Sequence, residues 1–371
     1  MFENLTIPSE LIPNDPRFGV GPSLIPTEYV KKLSGTGVKL LGTSHRKPAV
    51  KDLVKEIQHG LTQYFDLSDH EVILGNGGAT FLWDMIGLGL VENCSKHHVC
   101  GEFSNKWHLA HKNIPWIETC LDKVEYGEGL ITSNSEKCDL IALTLNETST
   151  GVQMVNVPQS DTDTLICMDA TSGAGQIECD HKAVDFYYFS PQKIFAGEGG
   201  LFIGFLSPKA KERALKIQQD KKRFIPTIMN WKLAIDNSAK NQTYNTPSVS
   251  NLFFLNEQIK EMNKFGRMKI NDMAENKAQH VYQWAESKDY LSCFIKDKTF
   301  RSRSVATIDV DESIPVGDLT KKLRDENIVY DIDSYRKLGR NQFRISMFHN
   351  VSLENLQKLT QLISHSIESE L

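Results

Sequence analysis

The sequence predicts an α/β protein: a large domain with a mostly parallel sheet flanked by helices, then a smaller C-terminal α+β domain. Three observations carry this. At 371 residues the chain is too long for one compact core. Short apolar runs at 140–145, 165–168, 186–189 and 201–205 lack polar alternation and are separated by connecting segments, the pattern of strands covered on both faces. A polar, asparagine-rich stretch at 237–251 breaks that pattern, and a different order of elements follows it.

Residues 1–22 are rich in proline and polar side chains and read as an extended arm. A helix-like start occupies 23–33, and a loop follows at 41–48. Over 50–65, Val50, Leu53, Val54, Ile57, Leu61 and Tyr64 fall on one helical stripe. Alternation of strand and helix begins at Glu71, with a short strand at 72–74, a helix at 79–90 and a further apolar run at 98–100. Proline opens an expected helix at 208–220. One long helical stretch is expected over 249–285, then a strand at 305–310, a helix at 316–326, a strand at 342–347 and a helix at 352–369. The domains expected are therefore the arm, 1–22, a large domain, 23–254, and a small one, 255–371.

Composition excludes several classes of function. The chain is 40% hydrophobic and 24% charged, with net charge −5, so no basic field favours nucleic acid. No apolar run approaches the ~18 residues of a membrane span. The N-terminus does not read as a signal peptide, and the expected location is the cytoplasm. Seven scattered cysteines without C-x-x-C spacing are expected to be reduced thiols. His108 and His111 are three apart with no third ligand nearby, so no metal is expected.

The chemistry concentrates around Lys193. It follows the aromatic run Phe186-Tyr-Tyr-Phe189 and precedes a glycine cluster, where burial makes an amine nucleophilic. Asp169 closes the apolar strand upstream. A lysine and a carboxylate at neighbouring strand ends suit pyridoxal 5'-phosphate, the lysine binding its aldehyde and the carboxylate its ring nitrogen. The turn Gly75-Asn-Gly-Gly-Ala79-Thr80 leaves a strand and opens a helix, a seat for a phosphate or simply a tight turn. Trp107 is a candidate to stack on the ring, or a core residue. Asn146 and Thr148 follow a strand's C-terminal end, where ligands gather in open α/β sheets. Arg344, inside an apolar strand, suits capture of a carboxylate, or pairs with an internal acid. His45-Arg46 and the run Tyr335-Arg336-Lys-Leu-Gly-Arg340 are basic clusters that either bind a second anionic group or face solvent.

Together these residues resemble the phosphoserine aminotransferase family, within the class V, fold-type I pyridoxal-phosphate enzymes. The resemblance runs from Phe18-Gly-Val-Gly-Pro-Ser23 to Arg344-Ile-Ser-Met-Phe-His-Asn350, through Thr43-Ser-His45-Arg46, Gly77-Gly78, Asn146-Glu147-Thr148, Asp169, Gln192-Lys193 and Tyr244-Asn245-Thr246-Pro247. It implies that Lys193 carries the cofactor, Asp169 pairs with the ring nitrogen, Trp107 stacks on the ring and Thr148 approaches its hydroxyl. Ala79, Thr80, Thr171 and Gln192 would hold the cofactor phosphate, with Asn245 and Thr246 reaching it from the second subunit of a homodimer. Arg344 would bind the substrate carboxylate, and His45 and Arg46 its phosphate. Two departures stand out. Many members carry Gly-Arg where this chain has Ala79-Thr80, and a His-Arg pair in the loop that here reads Tyr335 to Arg340, where Arg336 is preferred over Arg340 as the phosphate ligand. The implied reaction is amino transfer between glutamate and 3-phosphohydroxypyruvate in serine synthesis, with 4-phosphonooxy-threonine, in pyridoxine synthesis, as a further substrate of some relatives. The alternatives are an alanine–glyoxylate-type transaminase, a cysteine desulfurase, or a non-catalytic binding protein of the same fold.

Overall fold

A computed structural model describes residues 1–133, 138–160 and 163–371. The chain opens with α1 (Thr27–Gly35), α2 (Pro48–Phe65), β1 (Glu71–Asn76), α3 (Ala79–Gly89), β2 (Cys94–Val99), α4 (Glu102–Lys112) and β3 (Glu118–Lys123). Next come β4 (Leu140–Thr144), the two-residue strands β5 (Asn146–Glu147) and β6 (Val152–Gln153), β7 (Leu165–Asp169), β8 (Phe186–Phe189) and β9 (Leu201–Leu206). Helices α5 (Pro208–Ile217), α6 (Trp231–Ser238), α7 (Val249–Phe265) and α8 (Arg267–Glu286) precede β10 (Leu291–Cys293), β11 (Val305–Val310), α9 (Val316–Asp325), β12 (Gln342–Ser346) and α10 (Leu353–Glu368).

Local sequence explains the helix ends. Proline begins α2 and α5, where its missing N–H is no loss. The hydroxyls of Ser207, Ser248 and Ser352 accept from the first turns of α5, α7 and α10. Asp66 closes α2 in a left-handed conformation.

Seven strands form the main sheet in the order β1-β9-β8-β7-β4-β2-β3. Neighbours from β3 to β8 run parallel, whereas β9 runs antiparallel to both β8 and β1. One face packs on α2 and α7 through Val54, Ile57, Leu61, Leu255 and Ile259. The other packs on α3 and α6 through Leu82, Ile86, Trp231 and Ile235. Covering on both faces is why β4, β7, β8 and β9 are apolar almost throughout. The parallel strands therefore deliver their C-terminal ends, and the loops that follow, to one rim.

A three-stranded antiparallel sheet, β10-β11-β12, forms a second core with α8, α9 and α10. Phe2, Leu5 and Phe18 of the arm are buried in that core, and the Phe18 amide donates to the Tyr330 carbonyl. The single helix expected over 249–285 is instead two. Gly266, at φ +79°, sits between them in a conformation that L side chains rarely adopt. The expected boundary at 254/255 falls inside α7, whose Leu255, Ile259 and Met262 belong to the first core. The change of core comes along α8, between Ile270 and Ala278.

Candidate active site

Lys193 lies just beyond β8, at the rim where β4 and β7 also end. Its side chain is buried, and Nζ donates to the Thr148 hydroxyl at 2.8 Å. Burial lowers its pKa to about 8, although the Asp169 carboxylate opposes the shift; Arg344 adds to it and Glu147 opposes it. Asp169 is the last residue of β7. Its carboxylate accepts from the Trp83 indole at 3.1 Å and from the Thr171 amide at 3.0 Å. Burial raises its pKa, against the pull of the Thr171 and Trp83 hydrogen bonds and the Lys193 charge.

Polar contacts fix the rest of the floor. The Ser172 hydroxyl accepts from the Thr148 hydroxyl at 2.8 Å and from the Asn146 amide at 2.9 Å, so the partner of Lys193 is itself held. Glu147 is fully buried and accepts from the amides of Phe103 and Ser104 and from the hydroxyls of Ser104 and Ser149. A carboxylate at the start of α4 satisfies amides left open by the helix and faces the favourable end of its dipole. The backbone approaches Lys193 closely at Gly21, where an added Cβ would stand 2.6 Å from the lysine Cε and φ is +141°. Only glycine fits there.

Ala79, Thr80, Thr148, Asp169, Thr171, Gln192 and Lys193 line one cavity of about 210 Å³, together with Gly21, Trp83 and Phe103. The amide of Ala79 is already committed to the Ser190 hydroxyl at 2.9 Å. Gln192 Oε1 is buried without a hydrogen-bond partner. Arg344 reaches the cavity wall through the Thr148 carbonyl at 3.3 Å, and burial lowers its pKa to about 10. Its Nε is buried with no partner, so the guanidinium is not consumed by an internal acid.

Trp107 does not line the cavity. It is 1% exposed, packs in the core beneath the sheet and donates to His111 at 3.0 Å. One helical turn earlier, Phe103 supplies the aromatic face instead, its ring centroid 5.4 Å from Lys193 Nζ. The signal was available: Phe103 lies four residues past the end of β2, at the rim, whereas Trp107 lies one turn deeper. Sequence reasoning also missed Gly21 and Trp83.

Besides Trp107, five expected ligands, His45, Arg46, Asn245, Thr246 and Arg336, lie apart from this cavity within the chain. Arg46 donates to Gln242, and the Thr246 carbonyl accepts from Asn76 at 2.7 Å. Asn245 lines a separate small cleft with Asn76 and Tyr244. His45 is buried with Nε2 unpartnered, its pKa lowered by burial and by Arg46. Arg340 is held by Asp309 through two bonds of 2.9 and 2.7 Å. Arg336 is exposed and has no ion pair among the described residues.

The expectation of seven reduced thiols is corrected. Cys94 and Cys138 are joined in a disulfide, with Cα atoms 4.8 Å apart. The reason is topological: β2 and β4 are parallel neighbours, so residues at their starts meet although 44 positions apart. This is the end of the sheet opposite the cavity.

The residues present fit pyridoxal phosphate: a buried amine, a carboxylate beside it, an aromatic wall, and a helix N-terminus with a threonine at the far end. Comparison with known proteins bears on this. The aminotransferase class-V family matches residues 113–359. The chain belongs to the class V aminotransferase family. It is 44% identical to a phosphoserine aminotransferase of Corynebacterium glutamicum, covering 98% of this chain and 97% of that protein. Among solved structures, a phosphoserine aminotransferase from Cytophaga hutchinsonii superposes with a TM-score of 0.86 at 26% identity, covering 94% of this chain and 99% of that one. A phosphoserine aminotransferase from Trichomonas vaginalis, with pyridoxal phosphate bound, shares the fold with a TM-score of 0.80 at 17% identity, covering 95% and 100%. Class V aminotransferases depend on pyridoxal phosphate, and this chain is a transaminase of that kind. No described helix is long and apolar enough to cross a membrane.

Proposed function

We propose that the protein is a phosphoserine transaminase that moves the amino group between glutamate and 3-phosphohydroxypyruvate, in the cytoplasm, for serine synthesis. The observation that carries the chemistry is one cavity uniting a buried amine, Lys193, with the Asp169 carboxylate, while the Arg344 guanidinium, which no internal acid holds in an ion pair, bonds the Thr148 carbonyl in its wall. When bound, pyridoxal phosphate supplies an aldehyde that accepts the amino group and a ring that draws electrons from Cα.

The protein's own groups do the rest. Lys193 Nζ would hold the cofactor through its aldehyde and, when not so engaged, would take the proton from the substrate Cα and deliver it to C4′ of the cofactor rather than back to Cα. Thr148, anchored by Ser172, orients that amine. Asp169 holds a proton at the ring nitrogen, and Trp83 and Thr171 keep its carboxylate in place. Phe103 covers a face of the ring and excludes water. Thr80, Thr171 and Gln192, with the start of α3, hold the cofactor phosphate. Arg344 binds the substrate α-carboxylate.

His45, Arg46, Asn245 and Thr246 act on the cavity of a second copy of this chain. Their separation from Lys193 in one protomer and the unpartnered Nε2 of His45 support this reading. Arg336 is the loop arginine open to substrate, since Asp309 engages Arg340.

Two measurements test this. The purified protein with added cofactor should absorb at about 410–430 nm, the range of such a lysine adduct. Single half-reactions should then run much faster with O-phosphoserine than with serine or alanine. Equal rates for the three would sink the phosphate specificity and favour the alanine–glyoxylate type. A 4-phosphonooxy-threonine arm shows whether the longer phosphorylated substrate is also used.

A further inference from the structure

We propose that Lys106, held by the Tyr335 hydroxyl, is a further residue within the protomer, beside Arg336, that binds the distal anionic group of the substrate. This rests on the reading of the substrate as phosphoserine and names a specificity-determining residue for it.

Lys106 follows Phe103 by three positions on α4, so the two side chains share a face of the helix. Its ammonium lies 5.1 Å from the Phe103 ring centroid, and Lys193 Nζ lies 5.4 Å from the same centroid. It also lies 5.9 Å from the Tyr335 ring, to which the Arg344 guanidinium stands at 5.3 Å. Each aromatic ring is thus shared between Lys106 and one cation assigned to the substrate's amino-acid end. A substrate held between Lys193 and Arg344 carries its phosphorus at most about 4 Å from Cα, with phosphate oxygens about 1 Å farther, by ordinary bond lengths. Lys106 meets the Phe103 ring that walls the cavity, the residue past which a distal group would leave the lysine.

Charge accounting leaves this amine and the exposed Arg336 without an ion pair among the described residues. Of the neighbouring cations, Lys337 pairs with Glu102 at 3.1 Å and Arg340 pairs with Asp309. Lys106 has no carboxylate at ion-pair distance among the described residues. Its contact is the Tyr335 oxygen, to which it donates at 3.1 Å. The phenol accepts that bond with its oxygen and keeps its own proton free to donate to an anion. A half-buried ammonium with no carboxylate at ion-pair distance, its nearest acid Glu102 already engaged by Lys337, sits beside a free hydroxyl donor and suits a phosphate dianion. It also supplies a cation in the loop region where the His-Arg pair of many relatives is missing.

The test compares Lys106→Met, Lys106→Arg and Tyr335→Phe with the unaltered holoenzyme in single-turnover half-reactions. O-phosphoserine and L-alanine, which has no distal anion, serve as substrates. Lys106→Met should lower kcat/KM for phosphoserine roughly 10–100-fold, mainly through KM, the range for losing a charge-assisted hydrogen bond. Alanine should change by less than about threefold, and Lys106→Arg should recover most of the phosphoserine loss. Calorimetric titration of the holoenzyme with inorganic phosphate should show weaker binding in Lys106→Met. Tyr335→Phe should show a smaller loss confined to phosphoserine. Equal losses on both amino acids, or an unchanged preference for phosphoserine in Lys106→Met, overturn the proposal while the substrate reading stands. An unaltered enzyme that does not distinguish phosphoserine from serine defeats the substrate reading itself.

Discussion

An amine with its pKa near 8 is half neutral at a pH where an exposed lysine is almost fully charged. Burial does this to Lys193, and the Asp169 carboxylate limits the shift. Capture of pyridoxal phosphate by the cofactor-free protein should therefore accelerate with a midpoint near pH 8, not near 10.5. Stopped-flow absorbance against pH would check it, and a midpoint above pH 10 would refute it. The linkage has a definite sign. Between pH 8 and 10.5 the unfolded chain holds a proton on this lysine that the folded chain does not, so stability of the cofactor-free protein rises with pH there. Lys193→Met should flatten that rise in urea titrations, and it should lower transamination by roughly 10²–10⁴-fold or more. The sequence placed Asp169 at the close of an apolar run and Lys193 past a polar turn after an aromatic one, and both line the same cavity. The aromatic partner was not legible: Trp107 has the larger ring, but size says nothing about depth, and a shift of one turn on α4 separates cavity wall from core.

At the scale of elements, α4 is the part most exposed to a single change. An added Cβ on Gly101 would stand 2.3 Å from Cγ of Glu147, whose carboxylate caps the helix. Gly101→Ala should destabilise the fold by about 2–4 kcal/mol and loosen cofactor retention, because Phe103 moves with the helix start. Glu147→Gln keeps the shape but removes the charge, and should lower stability by about 1–2 kcal/mol with little change in the position of Phe103. Urea midpoints and cofactor dissociation rates separate the two. Unchanged values for Gly101→Ala would refute the packing argument. Sequence reasoning found the strands buried on both faces and the helices with proline or serine starts. It passed over α4, whose polar and histidine-rich turns hide its buried side, and β3, a polar edge strand with one side in water. The antiparallel course of β9 was equally hidden, since an apolar strand carries no mark of its direction.

For the molecule as a whole, the decisive expectation concerns two copies. Lys193→Ala and Arg46→Ala should each be inactive toward phosphoserine when pure. If Arg46 serves the neighbouring cavity, mixed dimers restore one complete site, and an equal mixture after dissociation and reassociation regains about a quarter of normal activity. Activity that stays at the level of the separate variants would place both residues in one protomer's site. The large parallel unit and the smaller C-terminal one were legible from the change of pattern near residue 237. The boundary was not, because α8 serves both cores and its periodicity is continuous across them. The arm has a consequence for how the protein is made. Gly21 forms cavity wall against Lys193, yet Phe2, Leu5 and Phe18 are anchored by residues beyond 278. The arm thus cannot take its place until residues beyond 278 are present to anchor it. A nascent chain holding the finished seven-stranded sheet still lacks one side of its reaction chamber. Competence to use the cofactor requires the arm to meet the core that follows residue 278.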